Sequence, residues 1–278
     1  IAEYQPHTVF HLAAQPLVRF SYEEPILTFE TNVLGCANVL DISRRTPSAK
    51  ALVVVTTDKV YLNRDPDKTF GEDDPLGGDD PYSASKAAQE MVAHSFRTSF
   101  FEKNGVGLAT ARAGNVIGGG DWAPDRLIPD CMRAFDQRKP ATIRRPHSTR
   151  PWQHVLESLS GYLLLAEKLY EAPQTCSPAY NFAPPPTEAL PVRDVAEVLA
   201  ECWGKSAELR ISENLEGPHE APFLKLDASL AEKELQWRPR WPLKKTLQMT
   251  VDWYRIFYSK ELSAQKLCLA QIDDYERS

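Results

Sequence analysis

Short apolar runs alternate with longer stretches whose apolar residues recur every three or four positions. "TVFHLA" (8–13) and "ALVVVTT" (51–57) are continuous apolar runs of strand length, and "VGLATARAG" (106–114) is a third. Such runs predict strands buried on both faces. Between them, "PILTFETNVLGCANVLDISRR" (25–45) and "DDPYSASKAAQEMVAHSFRTSFF" (79–101) carry the helical period, and Asp79, Asp80 and Pro81 suit a helix start. Strand, helix, strand, helix, strand at this spacing predicts a parallel sheet with right-handed crossovers. The opening "IAEYQPHTVFHLAAQ" reads as the end of a helix running into a strand, so a preceding segment is expected.

After Gly120 the alternation loosens. Helices are expected near 126–137, 152–170, 191–203, 228–236 and 243–259, with strands near 141–144 and at "YNFAP" (180–184). Many of the 22 prolines fall here, at 184–186 and around 239–242, as in a smaller, irregular domain. The expected division is a partial dinucleotide-binding domain over 1–120, with a returning segment near 145–185, and a mainly substrate-binding domain over 121–278.

Charge and cysteines narrow the chemistry. Lysine and arginine total 32 against 38 acidic residues in 278, a net charge of −6 that offers no general attraction to nucleic acid or an anionic membrane. A small-molecule substrate fits better. The five cysteines are scattered and form no CxxC pair or Cys/His cluster, so reduced, buried thiols, no metal and a cytoplasmic location are expected. No apolar stretch approaches the ~18 to 20 residues that span a bilayer.

In open parallel sheets ligands collect beyond the carboxyl ends of the strands, and the unusual residues fall there: "HLAAQ" (11–15), "TTDK" (56–59) and "RAGNVIGGGDW" (112–122). Small residues let a flat cofactor approach the backbone. Each segment alone is a weak signal, since a strand-end Ala-Ala is commonly packing and a glycine run commonly a loop. Tyr82 and Lys86 add chemistry, because four residues apart they share a helix face, and an ammonium beside a phenol favours the phenolate. Thr57, at the end of the neighbouring strand, offers a second hydrogen bond to the same substrate oxygen.

With "TNVLG" (31–35), "DPYSASK" (80–86), "RAGNVIGGGDW", "DRLIPD" (125–130), "RPWQHV" (150–155), "HEAPFLKLD" (219–227) and "ELQWRPRWPL" (234–243), the chain resembles the extended short-chain dehydrogenase/reductases over almost its whole length. Within them it resembles the nucleotide-sugar 4,6-dehydratases, in wording most closely the CDP-glucose branch. The resemblance implies an α/β fold: a Rossmann-type doubly wound parallel sheet, here without its N-terminal strands, and a smaller α/β substrate-binding domain. The family's glycine-rich fingerprint for the cofactor diphosphate is absent from these residues.

The resemblance also implies roles. NAD is the cofactor and a nucleotide sugar the substrate. Tyr82 takes the proton of the sugar 4-hydroxyl, Lys86 keeps Tyr82 ionised and binds the nicotinamide ribose, and Thr57 orients the 4-oxygen. Asp58 is the acid for the departing 6-hydroxyl and Lys59 the base at C5, or else the group that stabilises the enolate. Many relatives acting on other nucleotide sugars have Asp-Glu at this pair, and a lysine base must be desolvated or flanked by positive charge to be neutral near pH 7. Thr56, Ala13, Ala14 and Gln15 match cofactor-lining positions, and Asn32 matches a helix asparagine that braces the site. Asn115, Arg126 and Arg150 are expected at the substrate diphosphate, and His219 and Glu220 at the nucleotide ribose. His11 and His154 are expected to be structural, and Trp122 to sit over the substrate. The helices near 25–45 and 81–101 correspond to those that pair two copies, so a homodimer or higher homo-oligomer is expected. A 4-epimerase, a dehydratase for another nucleotide, and a relative that binds nucleotide without chemistry are the other readings.

Overall fold

The computed structural model describes residues 3–65, 68–212 and 223–278. The chain divides into two compact units: the first comprises 1–114, 159–182 and 224–238, the second 115–158, 183–223 and 239–278.

The first unit is built on four parallel strands in the spatial order Thr8–His11, Ala51–Val55, Gly107–Ala113, Ala179–Phe182. Residues 51–54 and 107–113 are buried without a break, the both-faces burial that their apolar runs predicted. The helix Pro81–Phe96 starts where expected: the Asp80 carboxylate accepts the Ser83 N–H at 2.9 Å, and Pro81 takes the first helical position. Cys36, Leu40, Leu52, Val54, Ala93, Phe101 and Leu108 form one shared core between these helices and the sheet.

The helix expected over 25–45 is not uniform. It runs as α-helix over Pro25–Phe29, widens into a π-helical turn over Glu30–Leu34, and returns to α-helix over Gly35–Arg44. A π-turn adds a residue to one turn and so rotates the helix beyond it. Asn32, fully buried, sits inside that turn.

In the second unit, the helices Leu127–Asp136, Val192–Trp203 and Leu243–Ser259 enclose a core that includes Met132, Phe135, Val195, Leu199, Val251 and Tyr254. Pairs of short strands edge it: Asn115–Ile117 with Trp152–His154, and Ala141–Ile143 with Leu209–Ile211. The 152–170 helix therefore begins later than its pattern suggested, at Val155, because 152–154 pair as a strand. Two helices escaped the sequence pattern. Val18–Glu23 buries only Ser21, and Ala264–Glu276 buries only Leu267 and Tyr275, too few positions to write a periodicity. The expectation of uniformly buried thiols also fails, for Cys268 is exposed on that last helix. Among the described residues no helix is long and apolar enough to cross a membrane.

Candidate active site

The end of the Ala51–Val55 strand turns at once into a single 3-10 turn, Asp58–Val60, and Thr57 is its cap. The Thr57 hydroxyl accepts the Lys59 N–H at 3.4 Å and donates to Asp58 Oδ1 at 2.9 Å. Asp58 is 2% exposed, a carboxylate folded into the protein rather than stepping into water. Lys59 is only half-buried. Desolvation therefore falls more heavily on Asp58 than on the lysine expected to need it.

The helix Pro81–Phe96 packs against this turn and supplies the partner groups. Tyr82 and Lys86 are both buried. The Lys86 ammonium donates to the Val55 carbonyl at 3.2 Å, which ties the helix to the strand two residues before Thr57. Burial lowers Lys86 to about 8, and the neighbouring Cys36 and Glu90 act in the opposite direction. The first unit thus carries Thr57, Asp58, Lys59, Tyr82 and Lys86 on two elements packed together.

Asn32 acts as a clasp. Its Oδ1 accepts the Gln15 N–H at 2.8 Å, and its Nδ2 donates to the Gln15 carbonyl at 3.1 Å and to the Ser85 hydroxyl at 2.9 Å. Ser85 in turn donates to the Tyr82 carbonyl at 2.7 Å. One buried side chain therefore joins the loop after the first strand to the first turn of the Tyr82 helix. Gln15 is spent on the same framework: its side chain donates to Thr28 at 2.8 Å and accepts from Leu17. Ala13 is exposed and Ala14 half-buried at the end of the first strand, small side chains that leave the backbone approachable. His11, buried at that strand's end, is held below its ordinary pKa first by burial and then by the charge of Lys86. An approachable strand end beside a buried ammonium fits the nicotinamide end of NAD.

Thr56 is buried, and its hydroxyl donates to Glu90 at 2.5 Å. Glu90 also accepts from Thr110 at 2.7 Å and from Arg112 Nε and Nη2 at 3.0 and 2.8 Å. Sequence reasoning missed this network and Ser85 with it. A signal existed: Ser85, Lys86, Gln89 and Glu90 put polar groups on the face that Tyr82 shows to be buried, where an ordinary helix would carry aliphatic residues. A cavity of about 1100 Å³ opens beside Glu90, His94, Arg112 and Lys233, and Thr57, Asp58, Lys59, Tyr82 and Lys86 are not among its lining residues.

The residues expected at the substrate diphosphate lie in the second unit. Asn115 is half-buried in the strand Asn115–Ile117. Arg126 precedes the helix Leu127–Asp136 and pairs with Asp121 at 2.9 Å. Arg150 is buried, with Nη1 donating to the Thr149 carbonyl at 2.9 Å. His219 and Glu220 lie outside the described residues. Trp122 remains 43% exposed. It packs among Trp253, Tyr254, Phe257 and Tyr258 at ring-centroid distances of 5.3 to 6.3 Å. The adjacent glycines have a packing reason, since a Cβ on Gly119 would meet the Trp253 ring at 2.1 Å. His154 is structural as expected: buried, Nδ1 accepting the Leu156 N–H at 3.3 Å, ring against Trp241 at 4.9 Å, and pKa lowered by burial to about 4.

A parallel Rossmann-type sheet, with a threonine at one strand end and a Tyr-x-x-x-Lys helix against it, defines a dinucleotide-dependent class of enzymes. The family model for GDP-mannose 4,6 dehydratase matches residues 1–250, and the chain belongs to that family. It is 49% identical over 267 residues to a CDP-glucose 4,6-dehydratase of Salmonella typhimurium, covering 94% of this chain and 74% of that one. A dTDP-glucose 4,6-dehydratase of Xanthomonas campestris is 26% identical, with 91% and 74% covered. Among solved structures, the UDP-glucose 4-epimerase of Thermus thermophilus in complex with NAD matches with a TM-score of 0.77 at 26% identity, covering 91% of this chain and 79% of that one.

Proposed function

We propose that the chain catalyses NAD-dependent dehydration of CDP-glucose to CDP-4-dehydro-6-deoxyglucose. One observation carries the chemistry: the Lys86 ammonium, on the helix of Tyr82, is tied to the strand that ends in Thr57, Asp58 and Lys59. The 49% identity to the Salmonella enzyme supports CDP-glucose as the substrate.

NAD, when bound, supplies the acceptor for the C4 hydride and gives that hydride back at C6. Tyr82 removes the 4-hydroxyl proton, with the Lys86 ammonium favouring its phenolate, and Thr57 orients the oxygen. The resulting 4-ketone acidifies the C5 hydrogen. Lys59 takes that proton, Asp58 protonates the departing 6-hydroxyl so that it leaves as water, and the proton later returns to C5. Ala13, Ala14 and the backbone of Gln15 line the cofactor, and Asn32 holds that loop to the helix. Asn115, Arg126 and Arg150 bind the diphosphate, a task suited to guanidinium forks. Arg126 would exchange Asp121 for the ligand.

Two copies pair through the helices that leave Ile26 (70% exposed), Leu34 (58%) and Met91 (60%) at the surface, and the protein works in the cytoplasm. The test is incubation with NAD and, in turn, CDP-glucose, UDP-glucose and dTDP-glucose. A 4-keto-6-deoxy product from CDP-glucose, with much less from the others, is expected. Product from UDP- or dTDP-glucose alone overturns the substrate, and a 4-epimer without loss of water overturns the reaction.

A further inference from the structure

Of the polar residues on the buried face of the Pro81–Phe96 helix, Gln89 has no part in the chemistry above. It is fully buried. Its Oε1 accepts a hydrogen bond from Lys86 Nζ at 3.0 Å, one helical turn away, beside the Val55 carbonyl at 3.2 Å. An ammonium only donates, so the amide must present its oxygen to Lys86, and the other end of the amide turns away. That end, Nε2, makes no conventional hydrogen bond and has the sulfur of Cys36 for a neighbour. A buried amide that leaves its own nitrogen poorly satisfied is held where a leucine or methionine would pack without that cost.

The charge of Glu90 also favours the Lys86 ammonium, but that carboxylate is hydrogen-bonded to other groups. Glu90, a turn further on, is engaged by Arg112 at 2.8 Å. Cys36, from the Gly35–Arg44 helix, is pushed up to about 11 by burial and remains a thiol at neutral pH. His11, from the first strand, is held neutral by burial. Tyr82, four residues back, is the group whose ionisation the ammonium serves. The hydrogen bonds of the Lys86 ammonium thus go to two neutral carbonyls, those of Val55 and Gln89.

We propose that Gln89 is a positioning residue for the reaction, whose side-chain carbonyl keeps the Lys86 ammonium charged and fixed on the helix face it shares with Tyr82. This rests on the roles given above to Tyr82 and Lys86. A hydrogen bond to a charged group is strong enough to move a titration by about one pH unit, and burial already brings Lys86 down to about 8.

Two variants of the full chain test it, each first checked for a cooperative thermal transition. Gln89→Met keeps the shape and removes the acceptor; Gln89→Glu keeps an acceptor and adds charge. Two readouts apply: the pH profile of CDP-glucose turnover, and ultraviolet difference titration of the Tyr82 phenolate taken against Tyr82→Phe in each background. In Gln89→Met the basic limb of the profile moves down by about one unit, and the Tyr82 phenolate forms at higher pH. In Gln89→Glu the basic limb moves up. A uniform loss of rate in both variants, with limbs and phenolate titration unmoved, reduces Gln89 to packing and overturns the proposal. A wild-type chain that does not turn over CDP-glucose, but whose Tyr82 titration still responds to Gln89→Met, leaves Gln89 in its role and overturns the substrate instead.

Discussion

Removing the Glu90 carboxylate, as in Glu90→Leu, strips one buried centre of four hydrogen bonds: those from Thr56, Thr110, and Arg112 Nε and Nη2. The side chains of Glu90 and Arg112 are 4% and 5% exposed, so the pair is largely withdrawn from bulk water. Arg112 keeps its Nη1 bonds to Tyr61 and the Glu72 carbonyl, at 2.9 and 3.0 Å, but its charge is left uncompensated. Breaking a buried ion pair from one side costs about 3–5 kcal/mol, and orphaning a buried hydroxyl about 1–3 kcal/mol. Against a total stability of ~5–15 kcal/mol, Glu90→Leu should lose about 4–6 kcal/mol and come close to unfolding the first unit. The reporter is Trp237, the one tryptophan that falls in that unit, followed by fluorescence through urea unfolding. The companion is Glu90→Leu with Arg112→Met, which removes both charges and should recover much of the loss. A coupling energy of about 3 kcal/mol or more in that double-mutant cycle is expected. A single-variant loss below about 1 kcal/mol, or a double variant as costly as the two singles combined, would refute the reasoning, because the pair would then be no more than a surface ion pair in its energetics.

Other outcomes follow from the same geometry. Tyr82→Phe should abolish C4 oxidation, whereas Lys59→Ala should leave oxidation and stop the loss of water, so that reduced cofactor accumulates on the enzyme and is read by its absorbance. Asn32→Ala, which frees the Gln15 loop from Ser85, should lower kcat by about tenfold to a hundredfold and weaken NAD binding, with stability measured alongside to separate the two effects. His154 is neutral when folded: its pKa is depressed from 6.5 to about 4, so its contribution is full above pH 6.5 and is lost as pH falls toward 4. That difference is worth about 3 kcal/mol, and acid unfolding of His154→Asn should begin at lower pH than in the wild type. Gly119→Ala should destabilise the second unit, since its Cβ would lie 2.1 Å from the Trp253 ring, and calorimetry should show a lowered Tm.

Local pattern was enough for the elements that matter most to the site. Apolar runs of strand length gave the 51–55 and 107–113 strands because burial on both faces leaves no polar alternation to read. Asp80 and Pro81 marked a helix start because capping is satisfied within four residues. The Tyr82/Lys86 pair and the Thr57–Asp58–Lys59 strand end were legible for the same reason: helix period and strand ends are local geometry. What only the tertiary structure decided is which way a polar group turns. Thr56 and Thr57 are adjacent and chemically alike, yet one hydroxyl is engaged by Glu90, thirty-four positions on, and the other caps the turn of Asp58. Asn32 between Gln15 and Ser85, and Gly119 beneath Trp253, are likewise settled by neighbours brought in from elsewhere in the chain. A buried polar group must find its partner wherever the fold supplies one, and sequence spacing carries no record of that distance.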